Sequence, residues 1–249
     1  MKTMLDHRSI RKYKSTPVSE PVLQNILKTA TRASTTGNMQ LYSIVVTKDE
    51  EKRKAMHTIH FGQDMVLQAP VLLTFCADIN RFNKWCKLRD AQPGYDNFLW
   101  FLNAAIDAML AAQNAAIAAE DHELGICYLG TTTYQADKII DLLNLPYGVV
   151  PVTTLVVGYP DEQPPLTDRL PLEAVVHYES YADYNEQIIN DLYLEKENLQ
   201  LTKELLKENN LENLAKIFTE RRYKKDDNLH FSKAFLNTLH KQGFMNHDE

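Results

Sequence analysis

The chain has 249 residues, of which 44% are hydrophobic and 24% charged, a composition typical of a globular protein whose core needs no disulfides. The formal net charge of −6, from 27 basic and 33 acidic side chains, argues against a nucleic-acid-binding face, because phosphate neutralisation requires clustered Lys and Arg. Three cysteines without a Cys-x-x-Cys pair support neither a disulfide framework nor a thiolate zinc site. We therefore expect a cytoplasmic protein with no nucleic-acid or membrane partner.

The first half of the chain predicts one clear helix and two strands. Ser19 stands where an N-cap is expected, before apolar residues at helical spacing that begin with Val22. Residues 41–47 and 71–77 are short β-branched or apolar runs bounded by turns or helices, which is typical of strands.

A long apolar helix is predicted next, over residues 98–120. Several polar side chains interrupt it, so we expect it to be buried in protein rather than to face lipid. Residues 126–129 and 152–158 are predicted strands, with a helix at 135–143 between them. Because strands and helices do not alternate strictly, the order favours an α+β fold over a doubly wound sheet.

The end of the chain is predicted to be a helical extension. Residues 186–227 mix acidic and basic side chains around several leucines, which is typical of amphipathic helices with a solvated charged face. We therefore predict a core domain over residues 1–185 and an extension over residues 186–249 that packs on the core or on a partner subunit.

Neither common glycine-rich phosphate loop is present, since the eight glycines form no Gly-x-Gly-x-x-Gly and no Gly-x-x-x-x-Gly-Lys-Ser/Thr. If the chain binds a phosphate, side chains must supply much of the contact. The densest candidate is His7-Arg8-Ser9-Ile10-Arg11, in which two guanidinium groups, a hydroxyl and an imidazole match the oxygens of an anion. An exposed basic turn is the alternative interpretation.

Three further segments are candidates for ligand contacts. A hydroxyl-rich loop at residues 34–40 either ends a helix or presents polar groups to a planar ligand. Residues 125–131 include Gly130, where a backbone N–H is able to approach a ligand closely, although a plain strand end is the alternative. Residues 158–171 form a proline-stiffened loop that presents Arg169.

Patterns for other chemistries are weak or missing in the sequence. There is no Gly-x-Ser-x-Gly elbow and no clear Ser-His-Asp order, so hydrolysis has no positive support. His57 and His60 are spaced like metal ligands but lack a third ligand, and we interpret them as surface histidines, with no metal site. Cys127 lies beside an apolar run and is interpreted as a core residue rather than a nucleophile.

Together these segments, in this order, resemble the flavin-dependent nitroreductase family, and most closely its branch of oxygen-insensitive NADPH nitroreductases and flavin reductases. The resemblance implies an α+β fold with a central, mainly antiparallel sheet flanked by helices, a helical C-terminal extension, and an intertwined homodimer with FMN at the subunit interface. The resemblance covers roughly residues 7–185. Besides the segments above, the motifs within this range that carry it are Gly62-Gln63, Phe75-Cys76-Ala77-Asp78, Gln113-Asn114, Tyr128-Leu129-Gly130 and Arg169-Leu170-Pro171.

The resemblance also implies which side chains contact the phosphate and ribityl end of FMN. His7, Arg8, Ser9 and Arg169 match the family's positions for these contacts. Thr167 departs from the pattern, because related chains often have a lysine there.

Other residues are expected at the flavin ring. Arg11 is expected near N1 and the C2 carbonyl, Gln63 on the pyrimidine edge, and Thr35 as a hydroxyl that the partner subunit offers. No catalytic side chain is implied. The backbone beside N5 is expected to come from Leu129, Gly130 and Thr131.

The implied activity is that of an FMN-dependent oxidoreductase. Hydride passes from NADPH or NADH to bound FMN and then to a nitroaromatic, a quinone or a similar acceptor in a ping-pong sequence. Arg221, Arg222, Lys224 and Lys225 are candidates for a contact with the 2′-phosphate of NADPH. The alternatives are an NAD(P)H:flavin reductase that supplies reduced FMN, and a non-catalytic flavin-binding module.

Overall fold

The computed structural model describes residues 2–247. Within them the chain divides into two compact units. Residues 2–165 and 231–247 form the first unit, and Leu166–His230 form the second. The first unit contains the β-sheet and the second is largely helical.

The domain boundary predicted from the sequence is a functional one. It separates a cofactor-binding core, residues 1–185, from a helical extension, residues 186–249, and it stays a prediction. The ends of these two ranges, Met1, Asp248 and Glu249, lie outside the described residues.

The first unit is built around a four-stranded sheet. In chain order its strands are β1 (Tyr42–Thr47), β2 (Val71–Asp78), β3 (Gly125–Leu129) and β4 (Val149–Gly158). Their spatial order is β1-β2-β4-β3, and each neighbouring pair is antiparallel. The two central strands, β2 and β4, are almost continuously apolar and buried, as expected for strands that are covered on both faces. The predicted α+β class and the four predicted strands are confirmed.

Helices of the first unit precede and separate the strands. In the described chain they are α1 (Lys2–Leu5), α2 (Glu20–Ala30), α3 (Glu50–Ile59), α4 (Met65–Gln68), α5 (Asn80–Lys87), α6 (Phe98–Asp121) and α7 (Ala136–Leu143). The Ser19 side chain makes no capping hydrogen bond at the start of α2, whereas the Asp49 carboxylate caps α3 by accepting from the backbone N–H of Lys52.

Helix α6 buries one face and exposes the other. The buried face consists mainly of alanines, whose small side chains let the helix lie close to β2 and α2. By length and composition α6 is the one described helix able to cross a membrane, but half of its apolar window is buried inside the protein. The opposite face exposes large apolar side chains, among them Leu102, Ile106 and Met109.

An extended N-terminal segment, residues 7–14, lies first beside β3 and then beside residues 159–161, which follow β4. Ser9 forms a parallel bridge with Ile126, and the backbone N–H of Ile10 donates to the carbonyl of Ile126 at 2.9 Å. Gly125 permits this approach, because a Cβ at that position would lie 2.6 Å from Ile10 Cγ1. The polar N-terminal motif is thereby held beside the sheet.

The second unit carries the helices predicted for the C-terminal part of the chain. They are α8 (Glu186–Asn198), α9 (Gln200–Asn209), α10 (Leu214–Ile217) and the start of α11 (Lys225–Lys241). Few of their side chains are buried, and those that are include Leu192, Leu214 and Ile217.

Candidate functional site

Two carboxylates that sequence analysis did not identify orient the N-terminal segment. The backbone N–H groups of Arg11 and Lys12 both donate to Oε1 of Glu162, at 2.5 and 3.1 Å. The His7 ring lies against Glu120, with 2.5 Å between Nδ1 and Oε1. These contacts hold the backbone of the segment while the Arg11 side chain stays exposed.

A cavity of about 470 Å³ opens beside Arg8. Arg8 Nη1 donates to the carbonyl of Asp6 at 2.8 Å, and its buried Nε has no hydrogen-bond partner in the described part of the chain. The lining has four carboxylates and two cations, so its net charge does not by itself favour an anion. The charged groups of the lining are Lys2, Asp6, Arg8, Glu120, Glu123 and Glu162.

Three side chains from two separate parts of the chain meet at the end of β3. His60 follows α3, Gln63 precedes α4, and Thr131 follows β3. The Thr131 Oγ1 lies 2.7 Å from Nδ1 of His60 and 3.2 Å from Nε2 of Gln63, which also donates to the carbonyl of His60 at 3.1 Å. We call these three residues the β3 cluster. It brings together Gln63 and Thr131, two of the residues predicted at the flavin ring.

His60 is buried, so its interpretation as a surface histidine was wrong. The side chain is 0% exposed, and this burial lowers its pKa to about 4, which leaves the ring neutral at physiological pH. His60 lies one turn after the fully buried Met56 and so continues the buried face of α3, before the chain turns at Phe61 and Gly62, with φ angles of 57° and 72°. His57, one turn earlier, is half-buried. In residues 2–247 no group of three or more His, Cys, Asp or Glu side chains is placed to hold a metal ion.

The backbone at the end of β3 is open on the side of Gly130. The residue is exposed, and a Cβ there would meet no atom within 4 Å apart from those of its chain neighbours. Leu129 is buried, and its carbonyl accepts a hydrogen bond from Thr132 Oγ1 at 2.9 Å. A planar ligand is therefore able to reach the backbone at Gly130 without displacing protein atoms.

Thr35 belongs to a different part of the first unit, the hydroxyl-rich loop before β1. The loop is tied to the buried Asp107 of α6, whose carboxylate accepts from the backbone N–H groups of Thr36, at 2.9 Å, and Leu41, at 3.2 Å. Thr35 lines a separate polar cavity of about 450 Å³. Thr35 neither lines the first cavity nor belongs to the β3 cluster.

Arg169 belongs to the second unit, in the loop before α8. Its Nη1 donates to the carbonyls of Thr167, at 3.3 Å, and Asp168, at 2.9 Å. The Asp168 carboxylate pairs with Lys196 at 2.5 Å between Oδ2 and Nζ. Lys196, which sequence analysis did not single out, is thus tied to the loop that carries Thr167 and Arg169, with its charge balanced by Asp168.

The four cations proposed for NADPH lie at the end of the second unit. Arg221 and Arg222 end a single π-helical turn, and Lys224 and Lys225 precede or begin α11. The guanidinium of Arg222 lies over the ring of Phe218, 5.6 Å from its centroid. All four are exposed, and their role in NADPH binding stays a prediction.

The assembled groups suit binding and orientation rather than nucleophilic catalysis. Cys127 is buried, and this burial raises the pKa of its thiol although the nearby charge of Arg11 acts in the opposite direction. The interpretation of Cys127 as a core residue is confirmed. All three cysteines are free and buried. What the site offers instead is an open backbone strip, paired hydrogen-bonding side chains and exposed cations, a set that matches a planar polar ring with an anionic tail.

Comparison with known proteins agrees with the motif pattern. The model of the Nitroreductase family matches residues 4–159. The NAD(P)H FMN reductase of Bacillus subtilis (strain 168) is 36% identical over 188 residues, which are 75% of this chain and 76% of that protein. The oxygen-insensitive NADPH nitroreductase of Salmonella typhimurium is 36% identical over 183 residues, which are 74% of this chain and 75% of that protein.

A solved structure extends the likeness to the whole chain. The crystal structure of a protein from Bacteroides fragilis NCTC 9343 has a TM-score of 0.97 and 51% identity, and covers 99% of this chain and 100% of its own. The second unit is therefore matched as well as the first. The family model, the sequence relatives and the shared fold lead to one assignment: the chain belongs to the nitroreductase family.

Proposed function

We propose that the chain is an FMN-dependent oxidoreductase that transfers hydride from NAD(P)H through bound FMN to small-molecule acceptors such as nitroaromatics or quinones. The observation that carries this proposal is the open backbone at Gly130, next to the paired side chains of Gln63 and Thr131. The sequence relatives support it, since one is named an FMN reductase and another an NADPH nitroreductase.

The ring end of the proposed FMN site is the end of β3. Gln63 contributes its amide, and the strip Leu129–Thr131 contributes backbone groups. Arg11 is the proposed cation at this end: Glu162 accepts from its backbone N–H, and its side chain is exposed. A positive charge there favours the electron-rich form of the ring.

The phosphate end relies on side chains, because the chain lacks a glycine-rich loop. His7, Arg8, Ser9 and Arg169 are the proposed ligands. Arg8 has a buried, unpartnered Nε that a ligand oxygen would satisfy. Guanidinium groups suit this task because they bind phosphate oxygens through paired hydrogen bonds.

The division of labour in the reaction follows from these groups. Bound FMN supplies a ring able to accept hydride from a nicotinamide and to deliver it to a second substrate. The protein's own residues orient that ring through the β3 backbone and balance its charge through Arg11. No side chain in the site is needed as a nucleophile, which is consistent with thiols that are buried rather than exposed.

A homodimer is part of the proposal. The exposed apolar face of α6 is larger than isolated surface residues require, and a second copy of the chain would cover it. The same second copy would bring its Thr35 to the FMN site. The residues of this face are Phe98, Leu99, Leu102, Ile106, Met109 and Leu110.

The cytoplasm is the proposed location and NADPH the proposed donor. Three free, buried cysteines suit a reducing compartment. Arg221 and its neighbouring cations supply charge for a 2′-phosphate, and parallel measurements with NADH test that preference.

Anaerobic stopped-flow reduction tests the proposed activity. Protein loaded with FMN should lose its visible flavin absorbance on mixing with NADPH, and regain it when a nitroaromatic or a quinone is added. Arg11→Ala should slow the first step and leave the fold intact. Lys12→Ala, at the exposed neighbouring residue, should leave the rate of that step unchanged. Protein that neither quenches the fluorescence of added FMN nor binds it would overturn the proposal.

A flavin reductase is the second candidate, favoured by the name of the Bacillus subtilis relative. In that case reduced FMN leaves the protein to serve a partner. Loose FMN binding and turnover of free FMN faster than of any nitroaromatic would identify this activity. Tight FMN retention through many turnovers would favour the first candidate.

A further inference from the structure

The β3 cluster limits how its hydrogen atoms can be arranged. Nδ1 of His60 lies 2.7 Å from Thr131 Oγ1, and Nε2 of His60 is buried with no hydrogen-bond partner in the described part of the chain. A buried N–H without an acceptor is costlier and rarer than a buried lone pair without a donor. The neutral ring therefore carries its proton on Nδ1, which donates to the Thr131 hydroxyl oxygen.

The orientation of the Gln63 amide is also determined. Its nitrogen lies 3.1 Å from the carbonyl of His60, an acceptor only, so the NH2 group must face that side. The other amide hydrogen points to Thr131 Oγ1 at 3.2 Å. Both amide hydrogens are thus used inside the cluster, and the group that Gln63 has left for a ligand is its carbonyl oxygen.

These two donors occupy both lone pairs of the Thr131 hydroxyl oxygen. The hydroxyl proton then has to point away from the cluster, and Thr131 is half-exposed, next to the open backbone of Gly130. The cluster as a whole therefore presents one O–H donor and one carbonyl acceptor. That pair is complementary to a ring edge on which a carbonyl stands beside an N–H.

We propose that the Thr131 hydroxyl donates a hydrogen bond to the carbonyl-bearing edge of the flavin ring, and that His60 is the positioning residue that makes Thr131 a donor. The pyrimidine ring of a flavin has the required edge, with carbonyl groups flanking an N–H. The inference rests on the proposed FMN site. It goes beyond that site by giving Thr131 a side-chain role and by assigning a function to His60, which acts only through Thr131.

Four variants of the β3 cluster test the inference. Thr131→Val removes the hydroxyl at nearly constant shape and should weaken FMN binding about three- to tenfold, the usual effect of one hydrogen bond. It should also lower the midpoint potential of the bound flavin, because a donor at this edge favours the reduced ring. Thr131→Ser keeps the hydroxyl and should resemble the parent protein. The remaining two variants change His60.

His60→Leu should weaken FMN binding and lower the potential in the same direction as Thr131→Val. His60→Asn should retain much of both properties, because the Asn amide keeps a donor close to the position of Nδ1. Combining His60→Leu with Thr131→Val should cost no more than Thr131→Val alone, since His60 acts through that hydroxyl. Thr133→Val, on the same turn after β3, is the matched control and should change neither quantity.

FMN binding is read by quenching of flavin fluorescence, and the potential by equilibration with a reference dye. Parent-like binding and potential in Thr131→Val would overturn the inference, as would independent, multiplying effects of the two substitutions. If His60→Leu does not fold, Thr131→Val, Thr131→Ser and His60→Asn still decide the outcome. A parent protein that binds no FMN would refute the proposed function itself, whereas an unaffected Thr131→Val in a flavin-binding parent refutes only this inference.

Discussion

His60 illustrates how burial decides the role of a single side chain. Its position at the end of an amphipathic helix is compatible with the surface, yet it lies one turn after the buried Met56, on the face of α3 that packs inward, and its ring is covered completely. Burial keeps the imidazole neutral and leaves it able to direct a neighbouring hydroxyl. Without that neutrality the hydrogen-bond pattern of the β3 cluster would be different.

The same burial predicts a loss of stability in acid. The pKa of His60 is about 4 in the folded protein against an ordinary value of 6.5, so between these pH values the unfolded chain binds a proton that the folded chain does not. The contribution of neutral His60 is therefore complete above the higher value and is lost as the pH falls toward the lower one. Over the whole window we expect the free energy of unfolding to fall by about 3 kcal/mol from this group, and urea unfolding at a series of pH values measures that fall.

Substitutions separate the effect of His60 on acid stability from the effect of carboxylates that also titrate in acid. His60→Asn has no titrating ring and should lose less stability across the window than the parent protein. His240→Asn replaces an exposed histidine and should keep the pH dependence of the parent. If the free energy of unfolding depends on pH equally in His60→Asn and in the parent protein, the prediction is contradicted.

Gly130→Ala is expected to affect binding but not folding. The added methyl group meets open space in the protein, so the free energy of unfolding should stay unchanged or rise by up to about 1 kcal/mol. The same methyl group occupies the approach of the flavin ring, and FMN binding should weaken about tenfold or more. Fluorescence titration and urea unfolding measure the two effects. Gly94→Ala, which also adds a methyl group to open space, should leave both unchanged, and equal FMN binding by the two variants would count against the site.

At the scale of elements, the strands were predictable and their exact ends were not. The apolar run of β2 is buried along its whole length, which a continuous hydrophobic stretch already indicates. The predicted β4 began at residue 152, whereas the strand starts at Val149 and includes Pro151. Pro151 lies opposite Cys76, where the register between β2 and β4 shifts, and a proline is tolerated at such an irregularity. Sequence periodicity does not reveal a register shift, because it depends on the partner strand.

The N-terminal segment depends on its contact with β3, and Gly125→Ala tests that contact. The new Cβ would lie 2.6 Å from Cγ1 and 2.8 Å from Cβ of Ile10, a buried side chain branched at Cβ. We expect a loss of about 1–3 kcal/mol in the free energy of unfolding. FMN binding should weaken as well, because the motif from His7 to Arg11 is displaced from the sheet. Gly130→Ala, just after the opposite end of β3, provides the contrast, and equal stability of the two variants would contradict the expectation.

At the scale of the whole molecule, the exposed face of α6 predicts self-association. Ile106 is 47% exposed in the centre of that face. Ile106→Lys places a charge in the proposed interface and should convert a dimer into a monomer, as measured by sedimentation equilibrium. The monomer should also bind FMN poorly, because Thr35 of a second copy is then missing.

The control for this experiment is a leucine on another helix. Leu201 of α9 is 70% exposed, and Leu201→Lys should leave the oligomeric state and FMN binding of the parent unchanged. A parent protein that sediments as a monomer while binding FMN tightly would remove the homodimer from the proposal.

By itself the sequence was sufficient for the α+β class, the four strands, the long helix α6 as one buried in protein, and the family motifs, because each of these depends on residues close together in the chain. Asp107 even gave a local signal, as a carboxylate within an apolar stretch. Only the tertiary structure could unite His60 and Gln63 with Thr131, separated from them by 71 and 68 residues, and anchor Arg11 to Glu162 across 151 residues. Contacts over such separations depend on how the sheet and its turns pack, and hydrogen-bond direction depends on burial, which no local pattern records.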